Sequence, residues 1–236
     1  MFVAEGTELV RTALSAGAAP EALYVGAEGA GDPEVQALAD EAQRQGVRVF
    51  DLAPGVMGRV ADTVTPQPLM ATFSMVDVAP AALDGGRLVV VMADVRDPGN
   101  AGTVLRSADA AGAHAVVCCG GTVDPYNPKT VRSSAGSLFH IPLVVLPTVA
   151  EALDELGERG YRRLGAAVRG GDDYTAVDWR RPTALVLGNE SAGLPDDLTL
   201  DGSVGIAMAG RAESLNVGVA CAVLCFEALR QRRGTP

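Results

Sequence analysis

The sequence predicts an α/β protein built on a mostly parallel sheet. Two observations carry this. Short apolar runs of strand length alternate with segments of helical periodicity along nearly the whole chain. One run, Leu88–Ala93, is apolar throughout, as a strand covered on both faces must be. Apolar residues make up 48% of the chain and aromatics only 4%, so the core is expected to be aliphatic.

The first elements expected are a strand at Phe2–Ala4 and a helix at Glu5–Leu14. A strand at Leu23–Val25 follows, then a helix over Asp32–Gln45 with Asp32 as N-cap and Pro33 at its first position. A strand at Val47–Phe50 and a short helix at Pro54–Asp62 complete a small α/β domain, residues 1–78. A strand at residue 2 has little before it, so a start shorter than that of relatives is expected. The turn-rich Ala79–Gly86 reads as a linker, bounded at residues 79–87. Residues 88–236 form the larger domain. Its strands are expected at Leu88–Ala93, Ala115–Cys119, Leu143–Val145, Arg163–Ala167, Thr183–Leu187 and Val204–Ile206. Its helices are expected at Asn100–Ala111, Pro128–Leu138, Thr148–Leu156 and Ser214–Arg232, before a short tail to Pro236.

No apolar run is long enough to span a bilayer, and the N-terminus carries charges where a signal peptide is apolar, so a cytoplasmic protein is expected. Cys118, Cys119, Cys221 and Cys225 lack zinc-site spacing and read as small buried hydrophobes. His114 and His140 make no pair, and no metal is expected. The net charge of −10 speaks against nucleic-acid binding, but residues 1–79 hold eleven acids against four bases while the remainder is nearly balanced. All basic residues but Lys129 are arginines, which contact phosphate bidentately, so charge leaves RNA binding open.

Three loops carry candidate chemistry. The first follows Leu88–Ala93 and runs Asp94 to Arg106. Asn100 stands where a helix N-cap falls, and Arg106 lies on an otherwise apolar helix face, where it needs a partner. The loop lacks the G-x-G-x-x-G turn of a dinucleotide-binding oxidoreductase. The second runs from Leu187 through Gly188 and Glu190 to Gly193. Its glycines allow unusual backbone angles, and Glu190 reads as a turn cap or a substrate contact. The third runs from Ile206 to Asn216. Ser214 reads as the cap of the last helix, Asn216 is a poor helix former there, and Gly218 and Ala220 keep that helix slim.

Together these loops resemble the SpoU/TrmH family of SPOUT methyltransferases. The resemblance rests on Asn100-Ala-Gly-Thr-Val-Leu-Arg106, Gly188-Asn-Glu-Ser-Ala-Gly193, Ile206-Ala-Met-Ala-Gly210 and Ser214-Leu-Asn-Val217, with Asp124–Gly136 similar to the connecting segment. It covers about residues 88–230. The first domain looks like the family's ribosomal-protein-like RNA substrate-binding domain.

The resemblance implies a sheet whose C-terminal segment is threaded as a trefoil knot. It implies S-adenosylmethionine held by backbone groups around Leu187, Gly188, Ile206, Met208 and Leu215, and a methyl group delivered to a ribose 2′-hydroxyl. The catalytic set implied is Asn100, Arg106, Glu190, Ser214 and Asn216. Arg106 activates or orients the hydroxyl and Asn100 positions Arg106 or the ribose. Ser214 and Asn216 complete the pocket, and Glu190 binds RNA or orients Arg106. Tyr126, Lys129, Arg132 and Ser133 are the implied RNA contacts. A homodimer through the knot helices, with both chains serving each site, is also implied. Ribosomal RNA is the substrate expected from the first domain. Transfer RNA, or a non-catalytic RNA-binding protein of the same fold, is the alternative.

Overall fold

The computed structural model describes residues 1–61 and 63–233. The last residue of the expected Pro54–Asp62 helix and the end of the tail lie outside them. The small domain contains β1 (Phe2–Glu5), α1 (Thr7–Ser15), β2 (Pro20–Val25), α2 (Pro33–Arg44), β3 (Arg48–Asp51), α3 (Met57–Val60) and β4 (Leu69–Phe73). Asp32 caps α2, accepting from Glu34 N–H at 2.9 Å. The sheet order is β1-β4-β2-β3. The central strand β4 was not among the expected elements; Pro66 and Pro68 lie just before it. Between them Gln67 donates its N–H to the Glu5 carboxylate, and Pro68 turns the chain into the sheet.

The large domain contains β5 (Leu88–Met92), α4 (Pro98–Ala110), β6 (Ala115–Cys119), α5 (Pro128–Ser133), β7 (Leu143–Leu146), α6 (Val149–Glu158), β8 (Arg162–Ala167), β9 (Asp172–Asp173), β10 (Thr183–Leu187), β11 (Gly202–Gly205) and α7 (Val217–Arg233). The expected Pro128–Leu138 helix breaks after Ser133, and a separate 3-10 turn covers Ser137–Phe139. The break falls where Ala135 and Gly136 take φ of 49° and 94°. The strands pair in parallel in the order β7-β6-β5-β10-β8-β11-β9. Strands β5, β6 and β10 are buried along their whole length, as an aliphatic, twice-covered sheet requires. The chain runs outward from β5 through β6 to β7, then resumes on the other side of β5. That reversal puts the carboxyl ends of β5 and β10 side by side, with Met92 opposite Leu187. Open α/β sheets bind ligands at such a point.

The boundary between the domains is not a free linker. Pro80–Leu83 is a 3-10 turn, Leu83 is fully buried, and its carbonyl accepts from the Tyr161 hydroxyl at 2.6 Å. Val78 N–H donates to Leu143 C=O at 2.8 Å. Across the junction the Phe2 ring lies 4.9 Å from Tyr126 and 5.8 Å from Phe139, and Phe73 lies 5.1 Å from Phe139. One apolar cluster therefore runs from the small sheet into the large one. Four of the ten aromatic residues meet at this seam.

Helix α4 packs on α5 and α7 through small residues. A Cβ at Gly102 would lie 2.7 Å from Ser133 Cβ and 2.8 Å from its carbonyl carbon. A Cβ at Gly218 would lie 2.8 Å from Thr103 Cβ. The Gly102→Ala protein should therefore be destabilised by about 1–3 kcal/mol through overpacking. Gly31→Ala, where a Cβ meets nothing, should change stability by less than about 0.5 kcal/mol. Denaturant unfolding of the two variants beside the wild type checks this.

Candidate active site

The site is assembled from the loops after β5, β10 and β11. In the first, Asp97 rather than Asn100 caps α4. Its carboxylate accepts from Asn100 N–H at 2.8 Å, and Pro98 opens the helix. That N–H, more than nearby Lys129, holds the Asp97 carboxyl below its usual range. Asn100 is thereby released from capping, and its side chain faces the second and third loops.

In the second loop Gly188 and Gly193 close a tight turn. Asn189 and Gly193 exchange backbone hydrogen bonds at 3.0 and 2.9 Å, and Gly193 has φ of 73°. A Cβ at Gly188 would lie 2.6 Å from the Gly193 backbone, so no side chain fits there. Asn189 organises the turn, a role that sequence reasoning missed. Its Oδ1 accepts from Ser191 and Ala192 N–H, both at 3.0 Å, and its Nδ2 donates to Asp94 C=O at 3.1 Å. The signal was available, since an asparagine before such a turn favours this geometry.

In the third loop the helix cap is Asn216, not Ser214. Asn216 Oδ1 accepts from Gly218 N–H at 2.9 Å and Val219 N–H at 3.3 Å. Its Nδ2 donates to Asn100 Oδ1 at 2.7 Å, and Asn100 Nδ2 donates to Glu190 Oε1 at 2.9 Å. The order is dictated by chemistry. Helix N–H groups only donate and an ionised carboxylate only accepts, so each amide between them has one usable orientation. The chain Asn216–Asn100–Glu190 thus joins all three loops through side chains. Ser214 is exposed and stands apart from it.

Beside this chain lies a cleft between the second and third loops and the end of β8. All five residues expected to hold a cofactor line it: Leu187, Gly188, Ile206, Met208 and Leu215. Glu190 and Ser214 line it as well. The walls are largely apolar, so specificity for a polar ligand falls to loop backbone and to these few polar side chains. The fit to S-adenosylmethionine is good on that count. Among the described residues no cluster of metal-ligating side chains exists. The cysteines are buried, and burial pushes the Cys118 and Cys119 thiols up to about 12.

Arg106 departs from expectation. Val104, Leu105 and Ala108 turn into the core, but Arg106 is exposed, and no hydrogen bond or ion pair links it to a described residue. It does not line the cleft of its own chain. The four expected RNA contacts also divide. Tyr126 is 7% exposed, its hydroxyl donates to Asp77 Oδ1 at 2.6 Å, and it accepts from Val76 and Asp77 N–H. Burial drives that hydroxyl's pKa up, and its bonds tie Tyr126 into the seam between the domains. Ser133 bonds helix carbonyls beneath Gly102 and is likewise structural. Arg132 lies 4.0 Å from the buried Glu5 carboxylate, between the domains. Lys129 is exposed, with Nζ 3.6 Å from Asp97.

A parallel sheet with a glycine-walled cleft at the carboxyl ends of β8, β10 and β11, and the first loop joined to it by the side-chain relay, defines a cofactor-binding transferase site. The chain belongs to the SpoU rRNA Methylase family, whose model matches residues 87–226. Residues 1–71 match the MRM3-like substrate binding domain. The chain is 39% identical over 183 residues to the 23S rRNA (guanosine(2553)-2′-O)-methyltransferase RlmP of Bacillus subtilis, covering 77% of this chain and 72% of that protein. It is 34% identical to the 23S rRNA (guanosine-2′-O-)-methyltransferase RlmB of Ralstonia nicotianae, covering 87% and 86% of the two. The AdoMet-bound rRNA methyltransferase of Sinorhizobium meliloti superposes with a TM-score of 0.85 at 32% identity, covering 97% of this chain and 87% of that one.

Capping and site geometry can be separated at Asn216. Asn216→Ala should lose the cap and about 1 kcal/mol of stability, whereas Asn216→Ser retains a good cap. Both break the link to Asn100, so both should slow methyl transfer although only the first melts earlier. Calorimetric melting beside single-turnover transfer measures the two effects.

Proposed function

We propose that the protein transfers the methyl group of S-adenosylmethionine to a ribose 2′-hydroxyl of ribosomal RNA. The observation that carries this reading is the convergence of the three motif loops. The second and third line one apolar cleft, and the Asn216–Asn100–Glu190 chain joins the first to them beside it. The 23S rRNA relatives and the substrate-binding domain favour ribosomal over transfer RNA.

When bound, the sulfonium supplies an activated methyl carbon. Leu187, Gly188, Ile206, Met208 and Leu215 hold the cofactor, chiefly through backbone groups bared by the tight turns. Asn100 and Glu190 set the floor on which the ribose rests, and Ser214 stands at the rim. Arg106 orients the hydroxyl and stabilises the developing oxyanion. A guanidinium holds its proton and is a poor base, so the proton of the hydroxyl goes to another acceptor, such as an RNA phosphate.

The assembly in this reading is a two-fold dimer, with the segment from β11 through α7 knotted as in the family. Helix α7 supports it: Val219 and Phe226 are 48% and 47% exposed on one apolar stripe. Leu224, expected on that face, is buried in the chain's own core instead. The position of Arg106 outside its own cleft accords with sites shared between two chains. The compartment proposed is the cytoplasm, in keeping with four unpaired thiols. Among the described residues no helix is long and apolar enough to cross a membrane.

Labelled S-adenosylmethionine and ribosomal RNA from cells lacking the gene test the reaction, with mass-spectrometric mapping of the methylated ribose. Failure to label any ribosomal RNA overturns the proposal. Arg106→Ala should keep cofactor affinity and melting while transfer falls on the order of a hundredfold or more. Arg106→Lys should not rescue it, because an ammonium cannot reproduce the planar fork. Wild-type turnover in the folded alanine variant would remove Arg106 from the mechanism. Phe226→Asp should yield a folded monomer by light scattering; an unchanged mass would show that α7 is not the interface.

A further inference from the structure

Just upstream of the Asp97 cap, the first loop presents a second arginine. Arg96 Nε donates to Asp94 Oδ1 at 2.8 Å, and the Arg96 side chain is 72% exposed. No hydrogen bond ties its two terminal nitrogens to a described residue. The guanidinium is therefore held by its inner edge, and its outer edge faces solvent.

The residue that holds it is itself fixed from three sides. Asp94 has φ of 64°, left-handed backbone in a residue other than glycine. Its N–H donates to Thr122 Oγ1 at 3.1 Å, and that hydroxyl donates to Met92 C=O at 2.9 Å. Its carbonyl accepts from Asn189 Nδ2 at 3.1 Å, which ties it to the turn that carries Glu190. A Cβ at Gly121 would lie 3.0 Å from the Asp94 carboxylate, so glycine leaves room for it. An exposed ion pair between near neighbours adds little to stability. A strained backbone position maintained by this many bonds suits a residue that must aim another. Glu190 is near enough to act electrostatically on Arg96, and Glu190 also holds Asn100.

We propose that Arg96 grips a backbone phosphate of the RNA next to the methylated ribose, and that Asp94 is the positioning residue that aims it. This rests on the RNA methyltransferase reading above. A phosphate is the fitting ligand because the two outer N–H groups of a guanidinium match two phosphate oxygens in one plane. A base edge calls for a deeper pocket than this open rim. With Lys129 across the Asp97 cap, the rim offers two cations to a strand crossing the amino end of α4, in a protein whose net charge is −10.

The test is methyl transfer to deproteinised ribosomal RNA, titrated in RNA at several salt concentrations. Arg96→Ala should raise the half-saturating RNA concentration roughly tenfold. It should lower the slope of log affinity against log salt by about 0.7–0.9, the signature of one lost phosphate contact. Affinity for S-adenosylmethionine should not move, since Arg96 does not line the cleft. Asp94→Gly tolerates the left-handed backbone and removes the carboxylate, so it should weaken RNA in the same direction without unfolding. Asp94→Asn keeps both the backbone preference and an acceptor for Nε, and should restore most of the affinity. The doubly substituted Asp94→Gly, Arg96→Ala protein should be no worse than Arg96→Ala alone. An unchanged half-saturation and salt slope in Arg96→Ala would overturn the proposal while the wild-type rate still upheld methyl transfer. A wild-type protein that methylates no ribosomal RNA would overturn the function itself and this inference with it.

Discussion

The site depends on one polar relay. The first turn of α7 has N–H groups with no helical partners, and Asn216 satisfies two of them. Its remaining amide group is passed to Asn100 and from there to Glu190. A positive helix end is thus connected to a carboxylate through two neutral amides, each with every choice removed. The three loops come from distant parts of the sequence, yet the relay allows them one mutual arrangement. Polar networks of this sort are worth having only when each member is satisfied. Here both amides are bonded on the donor and on the acceptor side.

The relay requires α4 and α7 to lie very close, and small residues permit this. Gly218 lets Thr103 approach, and Gly102 lets Ser133 do the same from the other side of α4. Helix α4 is therefore gripped on two faces while its amino end supplies Asn100. The sheet beneath is aliphatic and wholly buried at β5 and β10, which sets the loop origins at fixed spacing. The chemistry of the rim rests on packing that contributes no chemistry.

Much of this was legible in the sequence. The order of strands and helices in the large domain followed from periodicity, and the five residues that the motifs single out for a cofactor line one cleft. What escaped was local competition. Asp97 and Ser214 both precede helices, and both Asn100 and Ser214 read as caps. Spacing cannot tell which acceptor wins until the backbone is folded. Asp97 took the first cap and Asn216 the second, and each outcome changed what the neighbouring residue was free to do. Arg106 was assigned to a buried face because its neighbours are apolar, although a single step along a helix turns a side chain by about a quarter of the circle. Tyr126 and Ser133 looked like surface groups because sequence gives no sign of what packs across them. Strand β4 is a short run just behind two prolines, and β9 is two aspartates with no apolar signal at all.

The aromatic seam between the domains has a further consequence. Phe2, Phe73, Tyr126 and Phe139 weld the small sheet to α5 and the turn after it, and Tyr126 pins the connecting backbone at Val76 and Asp77. Two units sharing one core cannot swivel freely about their connection. The reach from the small sheet to the cleft is then set by packing, as the arm of a jig is set by its bolts.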